Sequence, residues 1–151
     1  MKPVIKFKKL PHFSGHVPQY QTPGAAGCDV HASLDSPIKI QCLQRALIPT
    51  GLIVEIPQGF EIQVRPRSGL AFKNGMTVLN APGTIDSDYR GELKIIVVNH
   101  GQEEFVVNNG DRIAQLVISP VIQASFEEIQ ELTTTSRGQG GFGSTGIKTV
   151  D

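Results

Sequence analysis

The 151-residue sequence has no excess of charge of either sign: 14 Lys and Arg balance 14 Asp and Glu. Without such an excess there is no broad electrostatic pull toward a nucleic-acid backbone or an anionic membrane. A local pair such as Arg65 with Arg67 can still hold a small anion. Cysteine is equally sparse. Cys28 and Cys42 make neither a disulfide framework nor a zinc pattern, so both are expected as small buried residues in a reducing compartment. The sequence has no run of about 18 apolar residues, and the residues after Met1-Lys2-Pro3 do not make a continuous apolar signal segment. A cytoplasmic protein is expected, with no membrane or nucleic-acid partner.

Convincing amphipathic helices are missing too, and the chain has strands instead. At 16.3 kDa it can fill one core but not two. Residues 4–7 alternate apolar side chains with lysine and precede Pro11, Gly15, Pro18 and Pro23, which reads as an edge strand leading into a loop. His12 and His16 have helical metal-ligand spacing, but Pro11, Gly15 and Pro18 argue against the helix that would align them. Residues 25–30 introduce a short strand in which Gly27 permits close backbone approach, and Asp29 either closes a turn or faces a cleft. Apolar stretches at 46–48, 52–56 and 60–64 are separated by Pro49-Thr50-Gly51 and Pro57-Gln58-Gly59. Further stretches follow at 93–99, 104–107 and 113–118. This spacing predicts an all-β sandwich, jelly roll or barrel.

One helical turn is predicted at 68–73, capped by Ser68 and ending near Asn74-Gly75. Arg67 and the free amides beginning at Ser68 then make either an anion site or a surface arginine beside a cap. Gln115 interrupts an apolar strand face, so it needs a partner unless it lies on an edge. Residues 80–91, Asn-Ala-Pro-Gly-Thr-Ile-Asp-Ser-Asp-Tyr-Arg-Gly, form an irregular hairpin between apolar runs at 77–79 and 93–98. The hairpin sets Asp86, Asp88 and Tyr89 on backbone able to hydrogen-bond a planar ligand.

Beyond Leu132 the composition turns to Thr, Ser and Gly and cannot support a packed core, which predicts a mobile arm. Gly138, Gly140 and Gly143 match a dinucleotide fingerprint by letter, but no βαβ unit surrounds them. A phosphate-loop match fails because Ile147 separates Gly146 from Lys148. Arg137, Phe142, Ser144 and Thr145 remain, a cation, a ring and two hydroxyls suited to wrapping a nucleotide.

Five stretches in this order, residues 26–29 (Ala-Gly-Cys-Asp), 65–71 (Arg-Pro-Arg-Ser-Gly-Leu-Ala), 83–91 (Gly-Thr-Ile-Asp-Ser-Asp-Tyr-Arg-Gly), 110–116 (Gly-Asp-Arg-Ile-Ala-Gln-Leu) and 137–146 (Arg-Gly-Gln-Gly-Gly-Phe-Gly-Ser-Thr-Gly), resemble the motifs of the trimeric dUTP pyrophosphatases, or dUTPases. Cys28 and Val30 are small departures. The resemblance implies a jelly-roll-like β-barrel over residues 1–132, with a flexible Gly-rich arm over 133–151 closing on a neighbouring subunit's site in a homotrimer. It implies hydrolysis of dUTP to dUMP and pyrophosphate by water attack on the α-phosphorus, which limits uracil in DNA and supplies dUMP for dTMP synthesis.

Carried onto this sequence, the resemblance makes Asp86 the base, with Arg67, Ser68, Gly69, Gln115 and Arg137 around a triphosphate that itself holds Mg²⁺. Asp29 would support that network through metal-bound water and is not a direct ligand. Asn80, Thr84, Ile85, Asp86 and Lys94 would pair with the uracil edge through their backbone, and Tyr89 would pack beneath the sugar and exclude ribose. Phe142 would stack on the base while Gly143, Ser144 and Thr145 wrap phosphates. Two competing readings are a dCTP deaminase of the same fold and a non-catalytic nucleotide sensor.

Overall fold

A computed structural model describes residues 2–144. The strands, in chain order, are β1 (Lys6–Lys9), β2 (Gly27–His31), β3 (Ile38–Ile40), β4 (Arg45–Glu55), β5 (Phe60–Arg65), β6 (Met76–Val78), β7 (Gly83–Ile85), β8 (Glu92–Asn99), β9 (Phe105–Val107) and β10 (Arg112–Pro120). The helix α1 (Ser68–Asn74) follows β5. One four-stranded sheet has the order β1-β4-β8-β6, a second β2-β10-β5-β7, and β3 pairs with β9. The pairings are antiparallel. This is the all-β, jelly-roll-like arrangement that the strand spacing predicts. Among the described residues no helix is long and apolar enough to cross a membrane.

Period-two patterning puts the core between the two large sheets. In β4 the inward positions Ile48, Leu52 and Val54 are buried, and in β8 Leu93, Ile95 and Val97 are, with Lys94 exposed between them. Val30, Ile62, Val64, Ala114 and Leu116 supply the facing layer. Truncating one of the fully buried isoleucines, Ile48 or Ile95, to alanine removes enough packing to cost ~2–5 kcal/mol.

Three local expectations need correcting. Pro49-Thr50-Gly51 does not separate two strands; β4 runs through it, with a register shift against β8 between Pro49 and Ile53. Ladder bonds lost at this bulge are replaced by the Thr50 hydroxyl, which donates to the Leu93 carbonyl at 2.6 Å, and by the Gly51 amide, which donates to the Glu92 carboxylate at 2.9 Å. Pro49 is tolerated because β1 pairs only with positions 52–55 of β4 and stops short of it. Cys42 is exposed, unlike buried Cys28, because it sits on the turn in which the Gln44 amide donates to the Gln41 carbonyl. The segment between β6 and β8 is also more than a hairpin loop. β6 and β8 pair with each other, yet β7 crosses to the other sheet and pairs with β5, so residues 80–91 bridge both layers.

β10 ends at Pro120, and residues 121–144 form no helix or strand. Ile122, Phe126 and Leu132 are almost fully exposed there.

Candidate active site

Two groups of polar side chains arise from this topology. The first gathers where β2, β10 and the start of α1 meet. β10 lies between β2 and β5, so Gln115 is not on an edge: its backbone faces Asp29 on one side and Arg65 on the other. The Gln115 side-chain amide donates to the Pro66 carbonyl at 2.9 Å, which meets the need for a partner at this polar position. Gly27 makes room for it, since a Cβ there would lie 2.6 Å from Gln115 Oε1.

Asp29 accepts from two guanidiniums. Arg67 Nε donates to Oδ1 at 3.0 Å and Arg112 Nη1 to Oδ2 at 3.2 Å. Arg67 Nη1 also donates to the Arg112 carbonyl at 3.1 Å. Arg67 therefore has Nε and Nη1 fixed, and its Nη2 has no hydrogen bond among the described residues. A guanidinium held this way presents a fixed fork to an incoming phosphate. Arg65 does not join it. Its Nε and Nη2 fold back onto Gln63 Oε1 at 3.1 and 2.6 Å, and Arg112 takes the place that the Arg65–Arg67 pairing suggested. Arg112 was legible only as a neighbour of Gln115; the register shift between Arg112 and Ala114 is what turns it toward Asp29.

At α1, Arg67 is the N-cap and Ser68 the first helical residue, and no side-chain cap bond forms. The predicted Ser68 cap is therefore displaced by one residue. The first backbone bond of the helix runs from the Ala71 amide to the Arg67 carbonyl, so helical geometry leaves the Ser68, Gly69 and Leu70 amides without intrahelical acceptors. Gly75 ends the helix in the left-handed conformation, φ 67°.

The second group surrounds a cavity of about 340 Å³ lined by Thr84, Ile85, Asp86, Tyr89, Glu92 and Lys94, with Leu47 and Ile96 as its apolar wall. β7 delivers Thr84 and Ile85, and a turn closed by the Tyr89 amide donating to the Asp86 carbonyl delivers Asp86. The Asp86 side chain is exposed and has no hydrogen bond among the described residues. Tyr89 is tethered, its hydroxyl donating to the Glu92 carbonyl at 3.0 Å. The Glu92 carboxyl lies below the usual carboxylate range: burial pushes it up, but hydrogen bonds from His12 and the Gly51 amide, with the charges of His12 and Lys94, outweigh that. Asn80 lies in the turn before β7, where the Ala81 amide donates to the Val78 carbonyl.

His12 and His16 do not act together. His12 turns to Glu92, while His16 packs edge-on against His31 with ring centroids 5.2 Å apart. Of the arm residues, Arg137 Nε donates to the Gly140 carbonyl at 2.8 Å, and Phe142 is fully exposed beside Gly143 and Ser144. Thr145 lies outside the described residues.

The dUTPase family model matches residues 14–146. A deoxyuridine 5'-triphosphate nucleotidohydrolase of Bdellovibrio bacteriovorus is 60% identical over 145 residues, covering 96% of this chain and 97% of the relative. One from Helicobacter hepaticus is 59% identical over 143 residues, covering 95% and 89%. Among solved structures, the Staphylococcus bacteriophage 80alpha dUTPase with dUPNHPP superposes with a TM-score of 0.86 at 24% identity, covering 95% of this chain and 99% of that one. A mutant dUTPase of the S. aureus phage phi11, described with a structural Mg(II) ion, superposes with a TM-score of 0.77 at 22% identity, covering 87% and 99%. These two share the fold. The family match and the two close bacterial relatives, which run nearly the full length of the sequence, establish that this chain belongs to the dUTPase family.

Proposed function

We propose that this dUTPase hydrolyses dUTP to dUMP and pyrophosphate, with Asp86 activating the water that attacks the α-phosphorus. The observation that carries the reading is Asp86 itself, an uncommitted carboxylate at the mouth of a cavity of about 340 Å³. Its neighbours among the described residues do not compete for its lone pairs, so it is available to orient and deprotonate a water. Residues 84–86 and Lys94 line the cavity, and with Asn80 their backbone groups read the donor and acceptor pattern of uracil. A site built to pair with one base leaves polar groups unpaired when cytosine enters, and a rigid wall excludes the thymine methyl. Tyr89, held by its bond to the Glu92 carbonyl, packs beneath the deoxyribose.

The phosphates go to the other cluster. Arg67, Ser68, Gly69 and Gln115 stabilise charge on phosphoryl oxygens, where most of the catalysis of such a displacement resides. The described residues contain no group of three or more His, Cys, Asp or Glu able to hold a metal ion. Both Asp29 oxygens are engaged by guanidiniums. This donor set suits a magnesium ion carried by the triphosphate, which, when bound, neutralises part of its charge. Asp29 then acts by holding Arg67, with any contact to the ion through water.

The two groups lie toward opposite ends of the β5–β7 pairing, which supports reading them as parts of sites shared between copies. Ile85 faces Ile62, and from there β5 runs about 10 Å to Arg65. Arg67 lies beyond that end, and Asp86 beyond the other. In the homotrimer that the family resemblance implies, Asp86 of one copy would work with Arg67 and Gln115 of another. The stretch from Pro120 to Arg137, extended, spans roughly 55 Å. That is ample for Arg137, Phe142, Gly143 and Ser144 to close a neighbour's site as a mobile arm.

Giving the protein dUTP, dCTP, dTTP and UTP with Mg²⁺ while following pyrophosphate and ammonia tests the reading. Pyrophosphate from dUTP is expected. Ammonia from dCTP would identify a deaminase instead, and no turnover of any substrate a nucleotide sensor.

A further inference from the structure

Three segments distant in sequence converge on the Glu92 carboxylate. The first is the turn in which the Phe13 amide donates to the Leu10 carbonyl at 2.9 Å, and from it His12 Nε2 reaches Glu92 Oε1 at 2.8 Å. The second is the β4 bulge, whose Gly51 amide donates to the same oxygen at 2.9 Å. The third is β8 itself, from which Lys94 Nζ stands 3.5 Å from Glu92 Oε2. A carboxylate oxygen can only accept, so His12 Nε2 carries the proton in this pair.

The turn is held from behind. The Ser33 hydroxyl, itself buried, donates to the His12 carbonyl at 2.6 Å, and the Leu10 amide donates to the Gly51 carbonyl at 2.8 Å. Gly51 has φ 69°, and a Cβ there would lie 2.7 Å from Phe13 Cα, so turn and bulge meet backbone to backbone. His12 is thus presented from a scaffold with little room to move. The Glu92 side chain it grips is only 13% exposed and lines the cavity together with Asp86, Tyr89 and Lys94. Glu92 is also the residue whose carbonyl holds the Tyr89 hydroxyl.

We propose that His12 is a positioning residue for base recognition. Through Glu92 it fixes the cavity wall that carries Lys94 and Tyr89, without touching the substrate. This rests on the reading of that cavity as the uracil slot. Loss of His12 leaves the Glu92 carboxylate held by the Gly51 amide alone, so it can shift toward Lys94 and loosen the first residues of β8. The predicted consequence is weaker, less selective binding with bond cleavage little altered, because the Asp86 turn is closed by its own backbone bond from the Tyr89 amide and the Asp86 side chain makes no hydrogen bond to His12 or Glu92.

Steady-state kinetics of the full-length protein with dUTP and with dTTP, for the wild type, His12→Ala, His12→Gln and Glu92→Ala, test this. His12→Ala should raise KM for dUTP roughly three- to tenfold, the effect of losing one hydrogen bond. In the same variant kcat should stay within about twofold, as expected when binding common to ground and transition states is removed. Its preference for dUTP over dTTP should fall by a similar factor. His12→Gln, whose amide can still donate to Glu92, should recover most of both. An unchanged KM and preference in His12→Ala, a fall in kcat with KM constant, or failure of His12→Gln to rescue would each overturn the inference. If His12→Ala does not fold, Glu92→Ala, which has no acceptor for His12, decides: it must raise KM and lower the preference, and wild-type values would overturn the inference. A wild type with no preference for dUTP would overturn the uracil-slot reading as well, whereas a selective wild type with an insensitive His12→Ala overturns this inference alone.

Discussion

Around Asp29 each charge has found a partner inside the chain; at the hairpin cavity the central carboxylate has none among the described residues. Arg67 and Arg112 share the two oxygens of Asp29, and Gln115 is anchored to the Pro66 carbonyl. Asp86, by contrast, sits exposed on a turn at the end of a three-residue strand. Groups that must bear a fixed geometry toward a charged ligand are braced before it arrives, which lowers the cost of reorganisation during reaction. A group that must exchange protons with water is left open to it. A braced group of paired charges and a separate uncommitted carboxylate is the pattern expected of a hydrolase whose chemistry is water activation at one and phosphate stabilisation at the other.

The largest effect should come from the open side. Asp86→Asn keeps the shape of the cavity and removes the proposed base, so kcat should fall by about 10²–10⁴ while nucleotide binding is retained. Isothermal titration alongside turnover checks both, and turnover at the wild-type rate would remove Asp86 from this role. Truncation after Thr135 should leave a folded protein whose kcat/KM is lower by roughly 100-fold, the scale of loss when a substrate is no longer held in register. Wild-type hydrolysis by the truncated chain would reduce the arm to a tail.

The braced side should respond more modestly. Gly27→Ala introduces a Cβ 2.6 Å from Gln115 Oε1, so the end of that side chain must shift and its bond from Nε2 to the Pro66 carbonyl is strained. The expected loss in kcat/KM is about tenfold. Kinetics identical to wild type would show that Gln115 can be moved at no cost. The smallest effect is one of stability. The Glu92 carboxyl is held below the usual range in the folded protein, so as pH falls the unfolded chain takes up the proton first. Its contribution is complete above the unfolded carboxylate's range and disappears as pH drops through the folded value. Glu92→Gln should therefore lose less stability than wild type on acidification below about pH 5, measured by urea unfolding. Parallel acid profiles would contradict this.

The strands were legible because apolar residues alternate between turn-forming Pro and Gly. The motif residues of the site were legible because they stand in recognisable order. The features that escaped depend on contacts between distant segments. Pro49-Thr50-Gly51 reads as a turn, and only the hydroxyl of Thr50 and the amide of Gly51 reaching β8 make it a bulge within β4. Arg65 and Arg67 read as a pair, but β5 ends at Arg65, whose guanidinium folds onto Gln63, and Arg112 from β10 takes the vacant role. His12 reads, with His16, as an accidental metal spacing. Its partner is 80 positions away, and no periodicity in the sequence links them.

If Asp86 and Arg67 act on one substrate from different copies of the chain, as proposed, mixing subunits will restore activity that neither variant has alone. Asp86→Asn and Arg67→Ala proteins, each nearly inactive alone, are unfolded together, refolded at equal concentration and assayed with dUTP. Sites assembled between subunits predict recovery toward about one quarter of wild-type activity, the fraction in which an intact Asp86 faces an intact Arg67. Activity that stays at the level of the separate variants would contradict the account.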